Sequence, residues 1–245
     1  MSRWKCICSY DGTGFTGWQT QPTQDAVQDT IEKGLKKILK EPIRIQGSGR
    51  TDAGVHALGQ VFHFDATWRH SVEKLQAAIH SRVPETIRIE SVEEVDDDFH
   101  ARYSATGKRY HYRIHLGQAN PFDARYMTSL FCKLDLEAIR LAGQSLLGEH
   151  DFTAFAADNG SYDGENPVKD FRLFELVEKG QEIRFIFEAS GFRYKMVRSL
   201  SGALIRVGRG VLTPDDFKRI LDSRVRTKDV VTSAPQGLFL EKVYY

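Results

Sequence analysis

The spacing of apolar side chains along the chain switches repeatedly between the period of a strand and that of a helix. In "RWKCICSY" (3–10) apolar and polar residues alternate, as in a strand with one buried face. In "QDAVQDTIEKGLKKILKE" (24–41) Val27, Ile31, Leu35 and Ile38 recur at helical spacing. "IRIQG" (43–47) and "QVFHFD" (60–65) read as short strands. "SVEKLQAAIHSRV" (71–83) reads as a second amphipathic helix with Ser71 as its N-cap, and "IRIESVEEV" (87–95) as a strand. The order is β-α-β-β-α-β.

The second half repeats this order. "ATGKRYHYRIHL" (105–116) is a strand, "LDLEAIRLAGQSLLG" (134–148) a helix, and "KDFRLFELVEKGQEIRFIFEAS" (169–190) two strands around a turn at Lys179 and Gly180. "YKMVRSLSGALIRVG" (194–208) and "TPDDFKRILDS" (213–223) are helical, the latter with Thr213 as N-cap and Pro214 at the first helical position. "GLFLEKVYY" closes the chain as a strand. Two copies of the order predict an α+β fold of two ferredoxin-like modules, 1–104 and 105–245, with antiparallel sheets and a ligand cleft between them. No identity between the halves supports the repeat, which rests on element order alone.

Composition narrows the class without naming a function. The 245 residues, 41% hydrophobic and 27% charged, are enough for a substantial core and argue against extensive disorder. There is no signal-peptide pattern and no apolar run long enough for a membrane span, so the expected location is the cytoplasm. The cysteines Cys6, Cys8 and Cys132 read as reduced thiols, without the paired spacing of a zinc site. The formal net charge is only +1, but it is unevenly spread. The stretch 101–113 carries Arg102, Lys108, Arg109 and Arg113, and 189–210 carries Arg193, Lys195, Arg198, Arg206 and Arg209, neither with an acid. Basic stretches interleaved with Tyr and Phe fit a polyanion-binding face as well as they fit solvated surface charge.

Two glycine-rich segments invite a phosphate reading and fail it. "DGTGFTG" (11–17) matches G-x-G-x-x-G, but Pro22 delays the helix that would have to open within the motif. "GSGRTDAG" (47–54) lacks the Lys-Ser/Thr pair of a P-loop. Its glycines permit a tight inter-strand connection that either projects Asp52 or forms a plain turn in which Asp52 bonds local amides. Arg50 and the basic segments would keep such a carboxylate ionised, fit to act as nucleophile or base. His56 reads first as a structural hydrogen-bonder. In "KRYHYRIHL" Tyr110 and Tyr112 share one strand face; Tyr112 reads as core, while Tyr110 is either core or a stacking platform for an unpaired base.

The segments "YDGTGFTGWQTQP", "GSGRTDAGVHALGQV", "FHARYSATGKRYHYRI", "HDFTAF", "GFRYKMVRSLSGALIRVGRG" and "TSAPQGLFL" together resemble the TruA family of tRNA pseudouridine synthases over nearly the whole chain. The resemblance implies an isomerase that converts uridine to pseudouridine at positions 38, 39 and 40 of the tRNA anticodon stem-loop, with no cofactor and no metal. By the same resemblance Asp52 is the catalytic aspartate, Arg50 the arginine of base flipping, and Arg198 the arginine paired with the aspartate. Tyr110 stacks on the target uracil and Leu238 lines the pocket. Lys108, Arg109 and Lys195 are expected RNA contacts, Lys195 standing where relatives often carry His or Asn. The family also implies a homodimer. The carboxylate can attack uracil C6 or ribose C1′, and both routes remain open.

Overall fold

The first nine paired residues, Ser2–Tyr10, form β1 as their alternation predicts, with Trp4, Cys6, Cys8 and Tyr10 buried and the residues between them half-buried. In the computed structural model, which describes residues 1–157 and 166–245, ten strands and five α-helices make a mixed α+β fold with mostly antiparallel pairing. The residues divide into two units, Met1–Thr106 with Phe239–Tyr245, and Gly107–Leu238.

In the first unit β1 pairs antiparallel with both β3 (His56–Ala66) and β4 (Ile87–Val95), and helices α1 (Val27–Leu39) and α2 (Val72–His80) connect the strands. The strand expected at 43–47 shrinks to β2, Gln46–Gly47, antiparallel to β3. Ile43 and Ile45 are buried as a strand face would be, yet α1 takes the backbone of Ile45. Its N–H donates to Glu32 Oε1 at 3.1 Å, and its carbonyl accepts from Gln28 Nε2 at 3.2 Å. Once those groups are satisfied by side chains, no sheet partner is needed. Ser71 occupies the N-cap of α2, but its side chain does not accept a capping hydrogen bond. The terminal strand β10 (Leu238–Tyr244) runs parallel to β3 through Phe239 and Leu240, opposite His56 and Ala57.

The second unit is built on β5 (Gly107–Leu116), β9 (Glu182–Ala189) and β8 (Val168–Lys179), antiparallel in that order, with β7 (Gly148–Asp151) beyond β8. The β8–β9 hairpin turns at Gly180, whose φ of +61° lies in the left-handed region. β6 (Thr128–Leu130), parallel to β5, and β7 are short strands that the apolar pattern does not announce. The helices are α3 (Leu136–Gln144), α4 (Met196–Gly208) and α5 (Pro214–Ser223). α5 starts as read: Thr213 Oγ1 accepts from the Asp216 N–H at 3.1 Å, and Asp216 Oδ2 accepts from the Thr213 N–H at 2.8 Å, closing a capping box. Phe152, Phe155, Phe171, Phe185, Phe187 and Phe217 are fully buried and fill the core, each contributing about 1.5–3 kcal/mol by removal from water.

Cys6, Cys8 and Cys132 are free thiols, and burial pushes the first two well above their ordinary pKa. Among the described residues no helix is long and apolar enough to cross a membrane.

Candidate active site

The connection between β2 and β3 carries Arg50 and Asp52, and nearly every backbone turn in it is braced from behind. At its start, Gln60 is fully buried; its Oε1 accepts from the Ser48 hydroxyl at 2.8 Å, and its Nε2 donates to the Gly49 carbonyl at 3.0 Å. In the middle, the Thr51 carbonyl accepts from the Trp18 N–H at 3.1 Å, while the Thr51 and Tyr10 hydroxyls share a 2.8 Å hydrogen bond. At its end, the Val55 N–H donates to the Asp52 carbonyl at 3.1 Å, closing a turn in which Gly54 takes φ +75°.

The "DGTGFTG" segment forms the other wall. It makes a single 3₁₀ turn, Gly12–Gly14, capped by Asp11, and no α-helix begins before Val27. Gly12 lies so close to the Val55 carbonyl that a methyl group there would overlap it. A methyl on Gly17, which has φ +100°, would sit 2.6 Å from the Thr51 carbonyl oxygen. These glycines therefore give access to a protein backbone, where a dinucleotide motif would give access to a pyrophosphate.

His56, at the loop's exit, is 1% exposed and stacks on Phe239 with ring centroids 4.7 Å apart. Its Nδ1 accepts the Gly12 N–H at 3.0 Å. Asp11 Oδ1 lies 3.2 Å from the same nitrogen, but a backbone N–H can only donate, so Nδ1 is an acceptor; Asp11 Oδ1 accepts from the N–H and hydroxyl of Thr13. Asp52 is half-buried at the head of this assembly, and Arg50 is exposed, its Nε donating to Gln19 Oε1 at 3.3 Å.

The other candidate residues belong to the second unit. Tyr110 on β5 is buried and meets Phe192 edge-to-face at 5.1 Å. Arg109 faces Glu188 across the β5–β9 register and pairs with it at 2.7 Å; Lys108 is half-buried at the same end of β5. Lys195 precedes α4 in the left-handed conformation, with Nζ 4.9 Å from the Tyr194 ring. Arg198 on α4 donates from Nε to the Ser233 carbonyl at 2.8 Å, and the Ser233 N–H donates back to the Arg198 carbonyl at 3.0 Å. Leu238, the first residue of β10, is buried.

Tyr112 and Arg226 hold the segment around Ser233 in place. Tyr112 is core, as read, but its hydroxyl also donates to the Ala234 carbonyl at 2.9 Å and bonds Thr128 Oγ1 at 2.6 Å. Burial raises its phenol pKa, opposed by hydrogen bonds to Thr128 and Ser233 and by the nearby Arg198 charge. Arg226 has five acceptors: the carbonyls of Phe155, Ala156 and Val230, and the hydroxyls of Ser199 and Thr232. Burial lowers its pKa. Nothing in "SRVRTKD" signals that role, whereas the glycines of "DGTGFTG" were a visible signal whose partner, the Asp52 loop, was not.

Comparison with known proteins places the chain. A family model described as tRNA pseudouridine synthase matches residues 7–104 and 142–245, well over half of the length. The chain belongs to the tRNA pseudouridine synthase family. It is an isomerase of that family, and relatives named tRNA pseudouridine synthase A align end to end with it. One from an Exiguobacterium species is 42% identical over 246 residues, covering 100% of this chain and 98% of the relative. Another from Listeria monocytogenes is 42% identical over 249 residues and covers 100% of both. A third, from Oceanobacillus iheyensis, is 43% identical over 248 residues, covering 100% and 97%. Among solved structures, a chain of a Cbf5-Nop10-Gar1 complex overlaps 82% of this chain and 44% of its own length at 13% identity, with a TM-score of 0.37. Within the family match, Arg50, Asp52, Lys195, Arg198 and Leu238 fall in the matched residues, whereas Lys108, Arg109 and Tyr110 lie between the two matched spans.

Proposed function

We propose that this isomerase converts uridine to pseudouridine at positions 38, 39 and 40 of the tRNA anticodon stem-loop, with Asp52 as nucleophile and without a cofactor. The carrying observation is the Asp52 loop: a half-buried carboxylate on a backbone braced by Gln60, Tyr10, Trp18 and two close-packed glycines, in a chain about 40% identical end to end to proteins named tRNA pseudouridine synthase A. A nucleophile must be held in one attack geometry, and a braced loop supplies it without reorganisation.

The reaction breaks the bond between ribose C1′ and uracil N1 and forms one between C1′ and C5. The proton leaves C5 and N1 gains one, so no electrons are exchanged with an outside acceptor. Asp52 bonds transiently to C6 or C1′, and either route ends in the same product. The detached uracil has to turn while held, which is the role proposed for the Tyr110 ring and the apolar Leu238. Arg198 is the candidate cation for the Asp52 carboxylate, and Arg50 the candidate to fill the space left by an extruded base. Lys108, Arg109 and Lys195 are proposed RNA contacts, giving affinity that weakens with salt. Arg109 would then share its guanidinium with Glu188. The order β4-β1-β3-β2 in the first unit and β5-β9-β8 in the second support two ferredoxin-like modules. A cytoplasmic homodimer completes the reading.

Incubation of the purified protein with unmodified tRNA bearing uridines at 38–40, followed by chemical mapping of pseudouridine, tests it. Product is expected at those positions with the wild type and none with Asp52→Asn, which preserves shape and tRNA binding while removing the negative charge. No product from the wild type overturns the activity, and product from Asp52→Asn overturns the nucleophile. Tyr110→Ala is expected to lower turnover; unchanged turnover would return the ring to the core.

A further inference from the structure

Thr51, the residue before Asp52, is gripped on two sides. Its carbonyl accepts the Trp18 N–H, and its side-chain hydroxyl bonds the hydroxyl of Tyr10 at 2.8 Å. Both partners in the second bond are buried, Thr51 at 7% and Tyr10 at 5% exposure, and the Tyr10 ring stacks on Trp18 at 6.0 Å. Trp18 itself is closed in by Gly47, where even a methyl group would overlap the indole. The result is a closed mechanical circuit of Tyr10, Trp18 and Thr51, with the Asp52 carboxyl next along the chain.

A buried hydroxyl pair is an inefficient way to make a loop stable. A Phe–Val pair of the same shape would bury as much carbon, with no polar group to satisfy, and replacing both partners of a hydrogen bond in this way is close to neutral in stability. What the hydroxyl pair adds is direction. A short bond between two rotatable O–H groups fixes the Thr51 rotamer and the distance from β1 to the loop far more narrowly than apolar contact does. One side of the Asp52 peptide is thereby set by Thr51, and the other by the bond from the Val55 N–H to the Asp52 carbonyl.

We infer that Tyr10 is a positioning residue for the reaction, acting through the Thr51 hydroxyl to hold the Asp52 carboxylate in its attack geometry. This rests on the reading of Asp52 as nucleophile. Tyr10 touches neither substrate nor reacting atoms in this assignment. Its effect belongs on the chemical step and is absent from tRNA binding, because a loop that wanders by a fraction of an ångström still presents the same surface to RNA while spoiling the alignment of a bond-forming carboxylate.

The test is a double-mutant cycle with Tyr10→Phe, Thr51→Val and the pair, assayed for kcat on saturating unmodified tRNA transcript, with tRNA Kd and thermal melting measured in parallel. Each single variant removes the bond between the two hydroxyls and leaves one of them buried without the other, so both kcat and Tm are expected to fall. The double variant removes both hydroxyls. Its Tm is expected to return to within about 2 °C of wild type, while kcat stays about tenfold low and Kd is unchanged. Thr51→Ser, which keeps the hydroxyl, is expected to recover most of the turnover lost in Thr51→Val. A double variant that regains wild-type kcat along with its Tm overturns the inference, because the hydroxyls would then serve stability alone. So does a loss carried by Kd. Asp52→Asn run beside them separates the two levels of the argument: if it still forms product, the nucleophile reading has failed. If it is inactive while the double variant turns over normally, only the role of Tyr10 has failed.

Discussion

The Asp52 loop and the Arg198 segment are held by opposite means. The loop in the first unit is fixed by contacts that leave no room, Gly12 against the Val55 carbonyl and Gly17 against the Thr51 carbonyl, and by hydrogen bonds to Trp18, Gln60 and Tyr10. The segment around Ser233 in the second unit is held by long side chains reaching to carbonyls, with Arg198 on Ser233, Tyr112 on Ala234 and Arg226 on Val230. Close backbone packing fixes position to a fraction of an ångström but accepts no added atom. Side-chain clamps tolerate substitution at the surface they hold and fail when the clamp is shortened. The carboxylate proposed as nucleophile sits on the first kind of support, and the arginine proposed as its cation sits on the second.

The sharpest way to break the first support is to add one methyl group. Gly12→Ala puts a carbon into the Val55 carbonyl, backbone on backbone, with no rotamer to relieve it. It is expected to cost about 3 kcal/mol in chemical denaturation and to abolish turnover. Gly14, two residues on in the same motif, meets no atom within 4 Å, and Gly14→Ala is expected to change stability by less than about 0.5 kcal/mol. A symmetric response from the two variants would mean that the motif acts through something other than close packing on the Asp52 loop.

The second support is broken at Arg226. Lysine keeps the charge but supplies a single nitrogen where the guanidinium spans two groups of acceptors, so Arg226→Lys is expected to cost about 2 kcal/mol in denaturant titration. Turnover should fall with it, because Thr232 precedes the Ser233 carbonyl that anchors Arg198. A neutral outcome would assign the anchoring to Gly202, which packs on the Val231 carbonyl as tightly as Gly12 does on Val55, and the two regions would then be alike.

These supports also mark how far the sequence could be read. Helices and long strands were legible because Val27, Ile31 and Leu35, or Trp4, Cys6 and Cys8, repeat at the period of the element they form. The 43–47 strand was misjudged because Ile43 and Ile45 report burial, which they share with a strand, while Glu32 and Gln28, eleven or more residues upstream, decide where the backbone bonds go. β6 and β7, of three and four residues, are too short to show a period. Asp52 stood out because glycines crowd it, but physical reading left turn and acid-presenting loop level, and only the family resemblance singled out the acid. The glycines of "DGTGFTG" were equally visible, but their partners lie far along the chain, Val55 being 43 residues from Gly12 and Thr51 34 from Gly17, distances over which periodicity carries no information.

The two units should also separate in acid, which gives the comparison its mildest test. His63 on β3 is buried, and its pKa is lowered from 6.5 to about 4, chiefly by desolvation, then by the charges of His100 and Arg3, with Asp65 opposing. The unfolded chain takes up a proton near 6.5 and the folded one only near 4, so stability in the first unit declines as pH falls through that window. In the second unit Glu182 is held down to about 2 from 4.5, first by its hydrogen bond from Arg113 and then by that from Arg184, with desolvation opposing. Its contribution is present above 4.5 and is lost only as pH falls from there toward 2. Hydrogen exchange followed from pH 7 to pH 5 should therefore show protection weakening in β3 while β8 and β9 hold. His63→Asn offers an amide oxygen to the Ala101 N–H, which Nδ1 now accepts at 3.1 Å, and carries no titrating proton. It is expected to flatten the response of β3 and leave that of β9 as it was. Equal weakening of β3 and β9 in the wild type above pH 5 would show that a group other than His63 governs the acid response.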